Sequence, residues 1–190
     1  MTRLTALILP LLLFAGLAGA APKDTYYNVE VLVVEHRLPD LEGGETWVKT
    51  DLTDLVTELR QAGQETNTGS ETSVLGRAGT KLAKDGKHRV LVHRHWTQQG
   101  QAKSDTKPVR LQNGEKTLDG VARVYQISRS LYLDLNIALT VEKLRLDRPD
   151  DAKSPVFRLQ EHRRIKLQEI HYFDHPRFGV LVRVMPVGKN

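Results

Sequence analysis

The C-terminal segment 157–187 alternates apolar and charged residues over a long stretch, which restricts what the chain can fold into. Successive side chains of a strand point to opposite faces, so this segment has one apolar face and one basic face. Arg164 and Lys166 lie on the basic face, whereas Glu161 and Arg163 interrupt the apolar one. Either these two residues pair with each other, or a bulge or break lies there. The apolar face consists of Phe157, Leu159, Ile165 and Leu167.

Residues 174–179 follow this arm and predict a turn. Proline removes a backbone donor, glycine allows positive φ, and aspartate can bond its own backbone. Alternating valines then resume at 180–184. The segment therefore predicts a β-hairpin with a long first arm. We assign structural roles in the turn to Asp174, His175, Pro176 and Gly179.

The first 20 residues have the pattern of an export signal. Arg3 precedes an apolar run from Leu4 to Leu17, and Ala18-Gly19-Ala20 is typical of a cleavage site. The run is short for a membrane span, which needs about 20 apolar residues. We therefore predict a cleaved signal peptide at 1–20, a single domain at 21–190, a periplasmic location and no membrane span after cleavage.

The chain has no cysteine, and its formal net charge is +5. The absence of cysteine excludes a disulfide scaffold, thiol catalysis and zinc sites built on thiolates. The positive charge favours anionic partners, such as cell-wall carboxylates, phosphates or acidic lipids. Nucleic acid is not an expected partner in the periplasm.

Apolar periodicity in the rest of the chain predicts one strand, two helices and then at least five strands. Residues 26–34 and 89–96 read as strands, 52–59 and 72–85 as helices, and 118–139 as a hairpin. The fold class that we predict is α+β, a mostly antiparallel sheet with two helices packed on one face, in a single domain. The first two strands could lie parallel through a right-handed crossover.

The candidate binding surface is the outward face of two predicted strands. If 131–139 and 157–168 share a sheet, their outward side chains form one surface. Guanidinium groups bind carboxylates in a bidentate manner, and aromatic rings can stack on sugars. The alternative is the ordinary solvated face that any antiparallel sheet presents. The surface would gather Tyr132, Asp134 and Asn136 with His162, Arg164 and Lys166.

Within this surface, we expect Arg164 and Lys166 to supply charge. Arg163 either joins them or pairs with Glu161, and Tyr132 or Trp96 supplies stacking. The candidate ligand-binding residues are Arg164, Lys166, Arg163, Tyr132, Asp134 and Trp96.

No catalytic constellation is evident in the sequence. Ser104 and Lys107 have the spacing of a serine–lysine nucleophile, but Pro108 argues against the helix that this motif needs. The histidines near 93–95 and 171–175 are spaced too loosely to predict a metal site. We therefore predict no enzymatic activity, no cofactor and no bound metal.

Several segments resemble the CsiV family of exported peptidoglycan-binding proteins. Segment 163–180, which reads RRIKLQEIHYFDHPRFGV, is similar to the family's C-terminal signature. Segments 27–31, 93–98 and 118–135 are similar to its opening strand, its central His/Trp/Gln segment and its Leu-rich hairpin. The resemblance implies a non-catalytic periplasmic accessory protein. Its partners would be peptidoglycan and a bifunctional penicillin-binding protein or that protein's activator. A protein-interaction adaptor that binds an acidic protein and not glycan is the alternative.

Overall fold

The alternating apolar residues build two antiparallel sheets that share one core, as seen in a computed structural model that describes residues 25–37, 50–63, 66–141 and 155–187. The predicted signal peptide lies outside these residues. The strands are β1 (Tyr26–His36), β2 (Asn67–Thr68), β3 (His88–Gln99), β4 (Val109–Gln112), β5 (Leu118–Ile127), β6 (Ser130–Thr140), β7 (Val156–Ile165), β8 (Ile170–His175) and β9 (Phe178–Pro186). The helices are α1 (Thr53–Gln61) and α2 (Val74–Lys84).

Sheet A has the strand order β2–β3–β1–β9–β8, and sheet B has the order β4–β5–β6–β7. The mostly antiparallel α+β character that the sequence predicted is confirmed, although the strands form two sheets. The alternative in which the first two predicted strands lie parallel is wrong, because β1 and β3 pair antiparallel over nearly their whole lengths. The connection that contains the two helices therefore joins two neighbouring antiparallel strands.

The core lies between the two sheets and uses one parity of each strand. Valines of the central strands β1 and β9 face leucines of β5 and β6 across this core. Each fully buried side chain of this size contributes roughly 1.5–3 kcal/mol. The residues with no exposed surface include Val29, Val31, Val180, Val182, Leu133 and Ile137.

The helices cover the outer faces of different sheets. Leu75 of α2 packs on Leu32 and Val34 of sheet A. Leu55 of α1 packs with Ala138 of sheet B. The prediction that both helices pack on one face is therefore not confirmed. Helical periodicity identifies the apolar stripe of a helix, but it does not identify the sheet that the stripe covers.

The prediction that the C-terminal hairpin has one long first arm is wrong. Strand β7 ends at Ile165 in sheet B, and β8 begins at Ile170 in sheet A. Between them Gln168 has a φ of 66°, a left-handed conformation that breaks an extended strand. Leu167, predicted to be on the apolar face, is 38% exposed. The hairpin itself is formed by β8 and β9.

Glu161 and Arg163, the two charged residues that interrupt the apolar face of this segment, form an ion pair. Arg163 Nη2 lies 3.7 Å from Glu161 Oε2. The register between β6 and β7 continues without a shift through both residues. Of the alternatives that the sequence left open, pairing is therefore confirmed.

The predicted turn residues lie at the β8–β9 hairpin, in roles that differ in detail. The His175 ring stacks on Phe178 with ring centroids 4.9 Å apart. The carboxylate of Asp174 accepts a hydrogen bond from the Tyr172 hydroxyl at 2.7 Å. Gly179 has no positive φ; instead, a Cβ there would lie 2.6 Å from the Tyr172 ring. The glycine is needed because the ring lies directly on the backbone.

Candidate functional site

The outer face of sheet B brings together most of the predicted surface. Strand β6 pairs with β7 so that Tyr132 lies opposite Arg164 and Asp134 lies opposite His162. Asn136 follows on the same parity of β6. We call this surface the sheet B face. Its geometry agrees with the sequence-based interpretation, and its ligand-binding role stays a prediction.

Three of the six candidate ligand-binding residues lie outside the sheet B face. Arg163 belongs to the opposite parity and lies over the Phe173 ring, 4.8 Å from its centroid. Lys166 follows the end of β7, with its Nζ 3.5 Å from Glu169. Trp96 is only 2% exposed and donates its indole N–H to Gln98 within the core. Stacking of Trp96 on a ligand is therefore incompatible with this structure.

A stack of three nearly parallel rings lies at the centre of the sheet B face. The Tyr132 ring centroid is 5.9 Å from that of Tyr125 and 5.7 Å from that of His162. The interplanar angles are 20° and 12°. Sequence reasoning missed Tyr125, although a signal existed. The two-residue turn after Ile127 sets the hairpin register, which places Tyr125 directly opposite Tyr132.

Asp134 accepts three hydrogen bonds, and two of them come from rings of this stack. One carboxylate oxygen accepts from His162 Nδ1 at 2.6 Å and from the Tyr125 hydroxyl at 3.2 Å. The other oxygen lies 2.7 Å from Lys103 Nζ. The carboxylate is only 17% exposed, so these partners replace most of its water.

Electrostatics fixes the charge states within this network. Burial would raise the pKa of Asp134, but hydrogen bonds from His162 and Lys103 outweigh it and hold the pKa below its usual value. Burial, followed by the negative charge of Asp134, raises the pKa of Tyr125 to about 12. Near neutral pH, Asp134 is therefore an anion and Tyr125 is a neutral donor.

A cleft of about 380 Å³ opens beside the stack. Strands β5, β6 and β7, helix α1 and the segment before β4 all contribute to its walls. Its polar lining combines both signs of charge within one cavity. The charged residues in the lining are Glu58, Lys103, Arg123, Asp134 and Glu161.

Arg158 positions helix α1 at the edge of this cleft. Its Nη2 donates to both carboxylate oxygens of Asp54 at 2.6 Å, and its Nη1 donates to the Asp51 carbonyl at 2.6 Å. Its Nε donates to Asn136 Oδ1 at 3.0 Å. The Asn136 amide in turn donates to Glu58 Oε2 at 2.8 Å. These bonds connect the helix to the sheet B face and orient Glu58.

A second polar cluster lies on the outer face of sheet A. Ser73 caps helix α2 and donates its hydroxyl to Glu30, and His93 Nε2 lies 2.7 Å from the same Glu30 oxygen. A serine nucleophile needs a base that accepts its proton and is itself oriented by a third group. Here the serine and the histidine both bind the carboxylate, so this cluster does not have that arrangement.

Within the described parts of the chain, no three His, Asp or Glu side chains converge in a way that could hold a metal ion. The same residues contain no helix that is both long and apolar enough to cross a membrane.

Comparisons with known proteins identify a family for this chain. Comparison with curated proteins gave no match, and neither did comparison with solved structures. A family model described as "Peptidoglycan-binding protein, CsiV" matches residues 6–187. The match includes every strand and helix described above. The chain belongs to the CsiV family of peptidoglycan-binding proteins.

Proposed function

We propose that this protein binds peptidoglycan in the periplasm as a non-catalytic accessory factor and supports wall synthesis by a bifunctional penicillin-binding protein. The observation that carries the proposal is the sheet B face, where stacked rings lie next to exposed basic groups. Peptidoglycan presents carboxylates on its peptides and sugar rings on its glycan strands. The sheet B face offers a complement to both.

The sheet B face and the neighbouring Lys166 have separate roles in this proposal. The exposed Arg164 guanidinium bonds peptide carboxylates. Lys166 lies just outside the face, with its Nζ 3.5 Å from Glu169, and adds positive charge at its edge. The half-buried Tyr132 presents its ring for stacking on a sugar. The hydrogen bonds to Asp134 restrain the rings beforehand, so less conformational entropy is lost on binding.

The remaining parts of the proposal have separate support. The apolar segment at the N-terminus supports export to the periplasm. The arrangement of Ser73, Glu30 and His93 favours a structural cluster over a nucleophile, in keeping with an accessory role. The penicillin-binding protein partner is supported by the family resemblance found in the sequence.

Co-sedimentation of the mature protein with purified sacculi tests the proposal. We expect binding at low salt that weakens as ionic strength rises, because exposed charge pairs are screened. Replacing Arg164→Ala/Lys166→Ala should weaken binding about 2- to 30-fold, as expected for two exposed ionic contacts. The matched control is Lys81→Ala/Lys87→Ala, which removes the same charge from exposed positions on or just after helix α2.

Three results would contradict parts of this proposal. Equal binding by both double variants would exclude Arg164 and Lys166 as contacts. Protein that stays in the supernatant but captures an acidic protein partner would favour the adaptor alternative. Release of muropeptides from sacculi by the pure protein would show that it is an enzyme.

A further inference from the structure

We infer that the cleft beside the ring stack binds a zwitterionic amino-acid group, with its carboxylate at Arg123 and its ammonium at Glu58. This inference rests on the proposed function and names the part of peptidoglycan that enters the cleft. The free end of a diamino acid in a peptide stem carries this pair of charges on one carbon.

The cleft has the size and charge distribution that such a group requires. Its volume of about 380 Å³ lies within the range of small-ligand sites, roughly 300–1,000 Å³. Arg123 comes from β5 and Glu58 from α1, so the cation and the anion lie on different structural elements. Both line the same cavity, so one ligand in the cleft can face both.

Arg123 is a cation whose nearest strand partner is already occupied. Across the β5–β6 pair it lies opposite Asp134, but that carboxylate is bonded to Lys103 and His162. The Nε of Arg123 is buried, and among the described residues it has no hydrogen-bond partner. A buried donor without a partner is destabilising. A ligand carboxylate could satisfy it, because the guanidinium fork matches carboxylate geometry.

Glu58 is an anion with one oxygen committed. Its Oε2 accepts from the Asn136 amide, and among the described residues no cation forms an ion pair with this carboxylate. Glu161 lines the same cleft but is already paired with Arg163. Glu58 is therefore the carboxylate in this cleft that a ligand ammonium group can reach with the least competition.

The charges in the cleft disfavour simpler ligands. A plain carboxylate bound at Arg123 would bring its negative charge into a cavity that Glu58 and Glu161 also line. A plain amine bound at Glu58 would meet the positive Lys103 and Arg123. A group with both charges forms favourable pairs at both sides of the cleft, so it should bind better than either half.

A ligand series on the wild-type mature protein tests this inference directly. Titration calorimetry compares diaminopimelic acid with pimelic acid, which lacks the amines, and with 1,5-diaminopentane, which lacks the carboxylates. We expect diaminopimelic acid to bind at least about tenfold more tightly than either of the others, because each half lacks one ion pair. It should also compete with sacculi for the protein.

Two variants locate the site. Arg123→Gln and Glu58→Gln should each weaken diaminopimelic acid binding about tenfold, since each removes one charged contact. Glu58→Gln keeps an oxygen that can accept from Asn136, so helix α1 should stay in place. The control Lys81→Ala, on helix α2 away from the cleft, should leave the affinity for diaminopimelic acid unchanged within about twofold. If a variant fails to fold by circular dichroism, the wild-type ligand series still decides the question.

The outcomes separate this inference from the proposed function. If sacculi bind while diaminopimelic acid does not, the inference is wrong and the proposed function stands. If pimelic acid binds as tightly as diaminopimelic acid, the cleft recognises only carboxylates and the inference is also wrong. If neither sacculi nor diaminopimelic acid binds, both are wrong.

Discussion

Replacement of Arg158 by alanine should loosen helix α1 from sheet B. The Arg158 side chain is 14% exposed and makes bonds to Asp54, to the Asp51 carbonyl and to Asn136. Alanine removes all of these bonds together with the largely buried aliphatic stem of the side chain. It also leaves the buried Asn136 oxygen without this donor.

The magnitude follows from how exposed each partner is. Asp54 is 50% exposed and can be rehydrated, so its pair with Arg158 contributes only about 0–1 kcal/mol. The bonds to Asn136 and to the Asp51 carbonyl involve a charged donor, and such bonds contribute roughly 1.5–3 kcal/mol each when sheltered. Because the Asp51 residue is exposed, we expect a total loss of about 2–4 kcal/mol in the free energy of unfolding.

Urea unfolding of the wild type and of Arg158→Ala measures this loss. The conservative control is Arg158→Lys, which keeps the charge but carries its donors on one nitrogen and lacks the planar fork that reaches Asp54, Asp51 and Asn136 together. Its stability should lie between the other two. Asp54→Ala should cost less than about 1 kcal/mol, in line with the exposure of that carboxylate. The diaminopimelic acid affinity of Arg158→Ala should fall as well, because Glu58 lies on the loosened helix.

The pH dependence gives an independent check. Burial would raise the pKa of Asp54, but hydrogen bonds from Arg158 and from the Leu55 amide outweigh it and lower the pKa. A carboxylate with a lowered folded-state pKa stabilises the fold above its usual pKa of about 3.9, and this stabilisation is lost as the pH falls through the lower value. Arg158→Ala should therefore lose less stability than the wild type as the pH falls from about 5 to about 2. An unfolding free energy within about 0.5 kcal/mol of wild type would refute this account of the helix attachment.

Three further predictions concern Asp134, Tyr125 and a glycine. Asp134 also has a lowered pKa, so Asp134→Asn should cost about 1–3 kcal/mol near neutral pH and less as the pH falls below about 4, in urea unfolding. Because the pKa of Tyr125 is raised to about 12, its protonated hydroxyl stabilises the fold below pH 10, and this stabilisation is lost as the pH rises through 12. Tyr125→Phe should therefore lose less stability than the wild type as the pH rises from 10 to about 12, and circular dichroism measures this unfolding. Gly69→Ala should cost about 1–3 kcal/mol because its Cβ would lie 2.1 Å from the His93 ring, whereas Gly114→Ala, with no atom within 4 Å, should change stability by less than about 0.5 kcal/mol.

Local patterns predicted the strands well and the arrangement of the sheets poorly. Alternation in 131–139 and 157–165 identified the core-facing parity, because the leucines of β6 and the residues Phe157, Leu159 and Ile165 of β7 point into the core. It did not show that helix α1 also covers Ala138 on the outer side of β6. The change of sheet after Ile165 had no such signal. Gln168 adopts the left-handed conformation without being glycine or asparagine, and its backbone N–H donates to the Val184 carbonyl at 2.8 Å.

The candidate site shows the same division. Tyr132, Asp134 and Arg164 were predicted to share a surface, and the register confirms their proximity. Arg123 and Glu58 were missed, because the contacts that form the cleft depend on how α1 packs on sheet B. The burial of Trp96 could have been predicted, since it shares its parity with the buried Val92.

The pairing of β9 with β1 determines when sheet A can form as the chain emerges. The last strand of sheet A lies between the first strand and β8, so this sheet cannot close until almost the whole polypeptide is available. Contacts between the two ends of a chain form slowly, because a long loop must be closed first. On the export route proposed above, such a delay would keep the polypeptide extended while it crosses a secretion channel. Sheet A would then form on the far side, after the valines of β9 have crossed.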